Sequence, residues 1–117
     1  MTAALNTFAL IFRQGPFSFT DADKNQRSEL TGAWAREYNA KGHKLDPHIL
    51  TPDITRRGAA LPNGAEWPVT ALLLIEASEL PDAIAVAEAH PALKYNASVE
   101  IRAWGTPAQI TAASNTL

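Results

Sequence analysis

The chain has 117 residues, a net charge of −2 and no cysteine, so it reads as one domain in which disulfides, thiolate catalysis and thiolate metal sites are excluded. A chain of this size buries about two-thirds of the surface it exposes when unfolded, enough for a core without covalent staples. The balance of charge gives no electrostatic reason to expect nucleic acid, and the longest apolar run, "TALLLIEA" at residues 70–77, is too short to span a bilayer.

The N-terminal stretch "MTAALNTFALIF" lacks the basic segment of a secretion signal, so a cytoplasmic protein is expected and the sequon Asn96-Ala97-Ser98 is read as coincidence. Residues 7–13, "TFALIFR", are apolar and aromatic and are stopped by Gln14-Gly15-Pro16. That predicts a buried strand followed by a turn. Residues 19–42 carry helix grammar: Thr20 caps, Asp23 sits three residues later, and Leu30, Trp34 and Tyr38, with Ala33 beside them, form one apolar stripe. Gly42 supplies the left-handed exit.

Next comes "HKLDPHIL", residues 43–50, which alternates Leu45 and Ile49 with more polar residues and predicts a second strand. Pro47 has no N–H for a ladder, which places this strand at a sheet edge or a bulge. Residues 51–68 are rich in breakers, and Asn63-Gly64 is a hairpin signal, so a short extra ribbon is expected between Arg56 and Trp67. "VTALLLIEA", residues 69–77, has the unbroken apolar character of a strand covered on both faces. Residues 78–91 predict a second helix, capped by Ser78 or a neighbour, with Pro81 in its first turn and Ala83, Ile84 and Ala87 facing inward. Pro91 ends it, and a cationic His90 there suits the negative end of the helix dipole. "ASVEIRAW", residues 97–104, alternates cleanly as a strand, and residues 105–117 form a small, polar tail expected to be mobile or to lie on a partner.

The order is β-α-β-β-α-β, which predicts an α+β, ferredoxin-like antiparallel sheet of spatial order 4-1-3-2, a single domain over residues 1–104. That order puts the two unbroken apolar strands in the centre and the two carrying Pro47 or Glu100 and Arg102 at the edges, so pattern and topology agree. Two helices cover one face only. The reverse face of two apolar central strands also needs cover, and a second copy packed sheet to sheet supplies it: a homodimer is expected. The alternative is that the ribbon between Arg56 and Trp67 folds over its own sheet.

"FALIFR" near the start and "LLLIEASELPDAIAVAEAHPALKYNASVEIRAW" near the end, with the spacing between them, resemble the YCII-related and DGPF-type proteins. The closing pattern of that group is a helix ending in a residue plus proline, then a "vEiRpw"-like strand, matched here by Ala89-His90-Pro91 and by Val99-Glu100-Ile101-Arg102-Ala103-Trp104. The resemblance covers roughly residues 7–104. It implies a dimeric α+β barrel with an active-site cleft between the sheet and its flanking segments. Members with a catalytic look carry an Arg-x-x-His step on the first helix; here it is Arg27-Ser28-Glu29-Leu30, with Leu30 where that histidine stands. An isobutyl group cannot transfer a proton. The DGPF signature itself is absent, with Gly15-Pro16-Phe17 a partial echo elsewhere.

Three sets of residues carry candidate chemistry. Asp46 and His48, two apart on a strand, face the same way and are the proton-handling candidates, with an Asp holding a His as a base near neutrality; His43 points to the other face. The plain alternative is a pair of solvated groups on an edge strand. Arg13 and Arg102 lie at the ends of neighbouring strands and suit an anion clamp, unless Glu100 takes one of them as surface chemistry. Trp67 and Trp104 suit pocket or dimer lining. Two histidines and Asp46 form a zinc-like donor set, but their spacing matches no known motif, so no metal is assigned. With no nucleotide or flavin fingerprint either, no cofactor is expected. The expectation is a small dimeric protein holding a small, partly apolar organic ligand in a cleft beside the sheet, as a cofactor-free isomerase, lyase or hydrolase. The alternative is a catalytically silent binding or regulatory module.

Overall fold

Apolar residues at every second position of two long strands organise the molecule. In the computed structural model, which describes residues 5–59 and 67–109, the elements run β1 (Asn6–Gln14), α1 (Asp21–Ala40), β2 (Asp46–Ile49), β3 (Val69–Ala77), α2 (Leu80–Glu88), a 3-10 helix (Pro91–Tyr95) and β4 (Ala97–Ala103). The four strands pair antiparallel in the order β2-β3-β1-β4. Counted from the other edge this is the expected 4-1-3-2 order, and the α+β architecture is compatible with a ferredoxin-like sheet.

The register explains the core. Leu10 of β1 lies opposite Leu73 of β3 and Ile101 of β4, and Phe12 lies opposite Ala71 and Val99. Alternation then sends Phe8, Leu10, Phe12, Leu73, Ile75 and Ala77 to one face. There they are buried with Trp34 of α1 and with Ala83, Val86 and Ala87 of α2. Both α-helices therefore pack on that face. Leu10 and Ile75 are fully buried, and each such side chain removed from water contributes about 2 kcal/mol.

The opposite face carries a different pattern. His48, Leu72, Ile11 and Glu100 form one row across the four strands, and Asp46, Leu74, Ala9 and Arg102 form the next. An apolar centre is thus flanked by charged edges.

Local chemistry fixes the ends of α1. The Thr20 side chain accepts a 3.1 Å bond from the Asp23 N–H while the Asp23 carboxylate accepts a 3.0 Å bond from the Thr20 N–H. Gly42 follows the helix with φ +93°, a conformation that glycine adopts without steric cost. The inward face is turned slightly from the expected one: Trp34 is buried and Ala35 packs on the core, whereas Ala33 is exposed.

Two other expectations are corrected in detail and a third is narrowed. The second strand is shorter than residues 43–50, because Gly42 and Lys44 both take positive φ and the His43 N–H donates to the Tyr38 carbonyl, so the chain is still turning there. Of the expected Ser78 or a neighbour, it is the neighbour Glu79 that occupies the N-cap of α2, without a side-chain cap, and the Ser78 hydroxyl is bonded to the Asp82 carboxylate. Val86 takes the buried place expected of Ile84. The expected ribbon turn at Asn63-Gly64 and the tail beyond residue 109 lie outside the described residues.

Candidate functional site

A cavity of about 530 Å³ lies between α1 and the β2–β3 side of the sheet. That volume is within the range of about 300–1,000 Å³ usual for small-molecule sites. Its floor is the sheet: Phe12, Ala71 and Leu73, with Pro47 and Ile49 from the edge strand. Its roof is one side of α1, where Lys24, Arg27, Ser28, Thr31, Ala35 and Asn39 recur at steps of one to four residues. Trp34, Leu45 and His90 complete the wall. Among the described residues two cations border the space and no carboxylate does.

His90 is the most specialised side chain in this wall. It caps the 3-10 helix, its Nδ1 accepting a 3.0 Å bond from the Ala92 N–H. A nitrogen that accepts carries no proton, so the neutral ring bears its hydrogen on Nε2. The ring centroid sits 4.6 Å from that of Phe12 and 4.5 Å from that of Trp34. Burial in this apolar surround pushes the His90 pKa down to about 4, and the Arg27 charge acts in the same direction. The expected cationic His90 at the end of α2 is therefore replaced by a neutral imidazole starting the next turn. The indole of Trp34 is itself anchored, its Nε1 donating to the Val86 carbonyl at 3.2 Å. Arg27 stacks its guanidinium 4.5 Å from the centroid of the Phe19 ring, and among the described residues it forms no ion pair.

The residues singled out from the sequence are placed as follows. His48 Nε2 lies 3.2 Å from Asp46 Oδ1, with side chains 59% and 62% exposed. The pair is thus within bonding reach but open to solvent; its register places both residues on the sheet face turned away from the helices, and of the two only His48 touches the cavity. His43 precedes β2 and is taken up structurally, its Nδ1 lying 2.7 Å from the Glu76 carbonyl oxygen and its ring against Tyr38. Arg13 and Arg102 belong to the other face of the sheet. Arg13 Nε donates to Glu100 at 3.1 Å and its Nη1 to the Trp67 carbonyl at 2.9 Å, so these two groups bind the end of the long 50–67 segment to β1 and β4. Trp67 packs its indole so closely on Gly15 that a Cβ there would meet it at 2.6 Å. Arg13, Arg102, His43 and Trp67 do not border the cavity. Among the described residues no three histidines or carboxylates gather as metal ligands, so the His43–Asp46–His48 alternative is not assembled.

Sequence reasoning missed Arg27 and His90 as a pair. The available signal was a second stripe on α1, polar and at helical spacing, beside the apolar one. No helix of the described residues is long and apolar enough to cross a membrane. No family model matches this chain, and no curated protein matches it.

Proposed function

We propose that this protein binds a small, partly apolar organic molecule in the cavity between α1 and the β2–β3 side of the sheet. The observation that carries this reading is the lining: aromatic and aliphatic walls from Phe12, Trp34, Leu45 and Leu73, interrupted by a few polar groups on one helix face. Such a mixture is what fixes the orientation of a small ligand while apolar contact supplies affinity. The motif-level likeness to YCII-related and DGPF-type proteins points the same way, toward a cleft beside a ferredoxin-like sheet and a homodimer built on the sheet's open face.

A second reading adds proton transfer, as in a cofactor-free isomerase, lyase or hydrolase. It is favoured by the 3.2 Å approach of Asp46 to His48 on the edge strand that borders the cavity. The open position of that pair favours the binding reading over it, because a base facing bulk water lacks the exclusion that strengthens electrostatic catalysis.

Thermal denaturation with benzoate, benzamide and benzyl alcohol as probes tests the binding reading. A probe at ten times its Kd stabilises the fold by about 1.4 kcal/mol, several degrees in Tm. The shift should vanish in Ala35→Phe, which fills the cavity from its roof. Absence of a shift with all three probes, or an undiminished shift in the filled variant, overturns it.

A further inference from the structure

Within that cavity the charge and donor pattern is one-sided. Lys24 and Arg27 face it from the first half of α1, His90 from the opposite wall, and among the described residues no aspartate or glutamate borders it, although the chain as a whole has net charge −2. We infer that the cavity selects an organic carboxylate, its charged end met by Arg27 and Lys24, its apolar body against Trp34, Leu45 and Leu73, and the neutral His90 ring donating Nε2–H to it. This rests on the binding reading above and specifies the ligand's chemistry.

Three features carry it. A guanidinium that has no carboxylate partner among the described residues, in a partly buried wall, is poised to form a charge-assisted, two-pronged bond that a carboxylate matches in shape. The stacking of Arg27 on Phe19 restricts the guanidinium before any ligand arrives, so less freedom is lost on binding. His90 is fixed as a donor rather than a base, because its Nδ1 is occupied by the Ala92 N–H. The start of α1 does not compete for the anion. Its capping box occupies the Asp23 and Thr20 N–H groups, and Asp21 and Asp23 add negative charge there.

Isothermal titration of the full chain with benzoate and with its neutral, near-isosteric counterpart benzamide tests this. Benzoate should bind at least about tenfold more tightly than benzamide. Arg27→Gln should remove most of that preference while leaving benzamide within about twofold, since the apolar walls are untouched. His90→Phe, which keeps the ring against Phe12 and Trp34, should weaken benzoate several-fold. Independently of any variant, nitrogen-15 NMR at neutral pH should find His90 as the Nε2–H tautomer. Equal binding of the two probes, a preference undiminished in Arg27→Gln, benzoate affinity unchanged in His90→Phe, or an Nδ1–H tautomer overturns the inference. If benzamide binds and benzoate does not, the cavity remains a ligand site and the carboxylate assignment fails; if neither binds, both fail.

Discussion

His90 shows how much a single residue's surroundings decide. A histidine at a helix end usually gains from carrying a proton, but here two aromatic rings and a nearby guanidinium oppose the charge. The consequence for stability has a definite sign. The unfolded chain takes up a proton at this site as the pH falls through about 6.5, whereas the folded chain resists until about 4. The contribution of His90 is therefore complete above pH 6.5 and is lost progressively between 6.5 and 4. Allowing for its residual exposure, the loss is about 1–2 kcal/mol. Urea unfolding at pH 7 and pH 4.5 should show a larger drop for the native sequence than for His90→Phe; equal drops would show that the ring titrates normally. None of this was legible in "AHP". The sequence marks the end of a helix there, but the partners that neutralise the ring come from β1 and α1, more than fifty residues away. Asp46 and His48 were legible because both belong to one short strand, where alternation alone sets their relation.

At the level of elements, what could be read was what depends on neighbours in sequence. The start of α1 is the clearest case. Thr20 and Asp23 exchange bonds as the capping box requires, and Thr20→Ala should destabilise the fold by about 1 kcal/mol, lowering Tm by several degrees in a thermal melt. An unchanged Tm would mean that tertiary packing alone holds that end. The sheet order was equally accessible, since unbroken apolar runs belong in the middle and Pro47 belongs at an edge. What escaped was the gap beneath α1. A helix's apolar stripe tells which side faces inward, but the distance to the sheet is set by how Trp34, Tyr38 and His90 stack on one another. Only the assembled structure contains that distance. The bounds of β2 were misread for a related reason: the positive φ of Lys44 is imposed by the route from α1 to the edge and has no mark in the residue type.

For the whole molecule, the face of the sheet turned away from the two α-helices poses the remaining question. Ile11, Leu72 and Leu74 occupy its centre between the charged edges bearing Asp46 and His48 on one side and Glu100 and Arg102 on the other. A twofold axis parallel to the strands would lay the β2 edge of each copy over the β4 edge of the other. Asp46 would then meet Arg102, and His48 would meet Glu100, around an apolar centre, so the face is complementary to itself. Light scattering at micromolar concentration should accordingly report twice the 12.6 kDa chain mass, and Leu72→Lys should return it to that of one chain with the far-ultraviolet circular dichroism unchanged. A native chain that scatters as a monomer would defeat this arrangement. The edge strand has one more consequence. Pro47 and Ile49 border the cavity from β2, which is laddered to β3 over four residues and, among the described residues, has no strand on its outer side. A ladder this brief is the part of the sheet that opens most cheaply, and it can do so while Leu10, Ile75 and the rest of the interior stay shut.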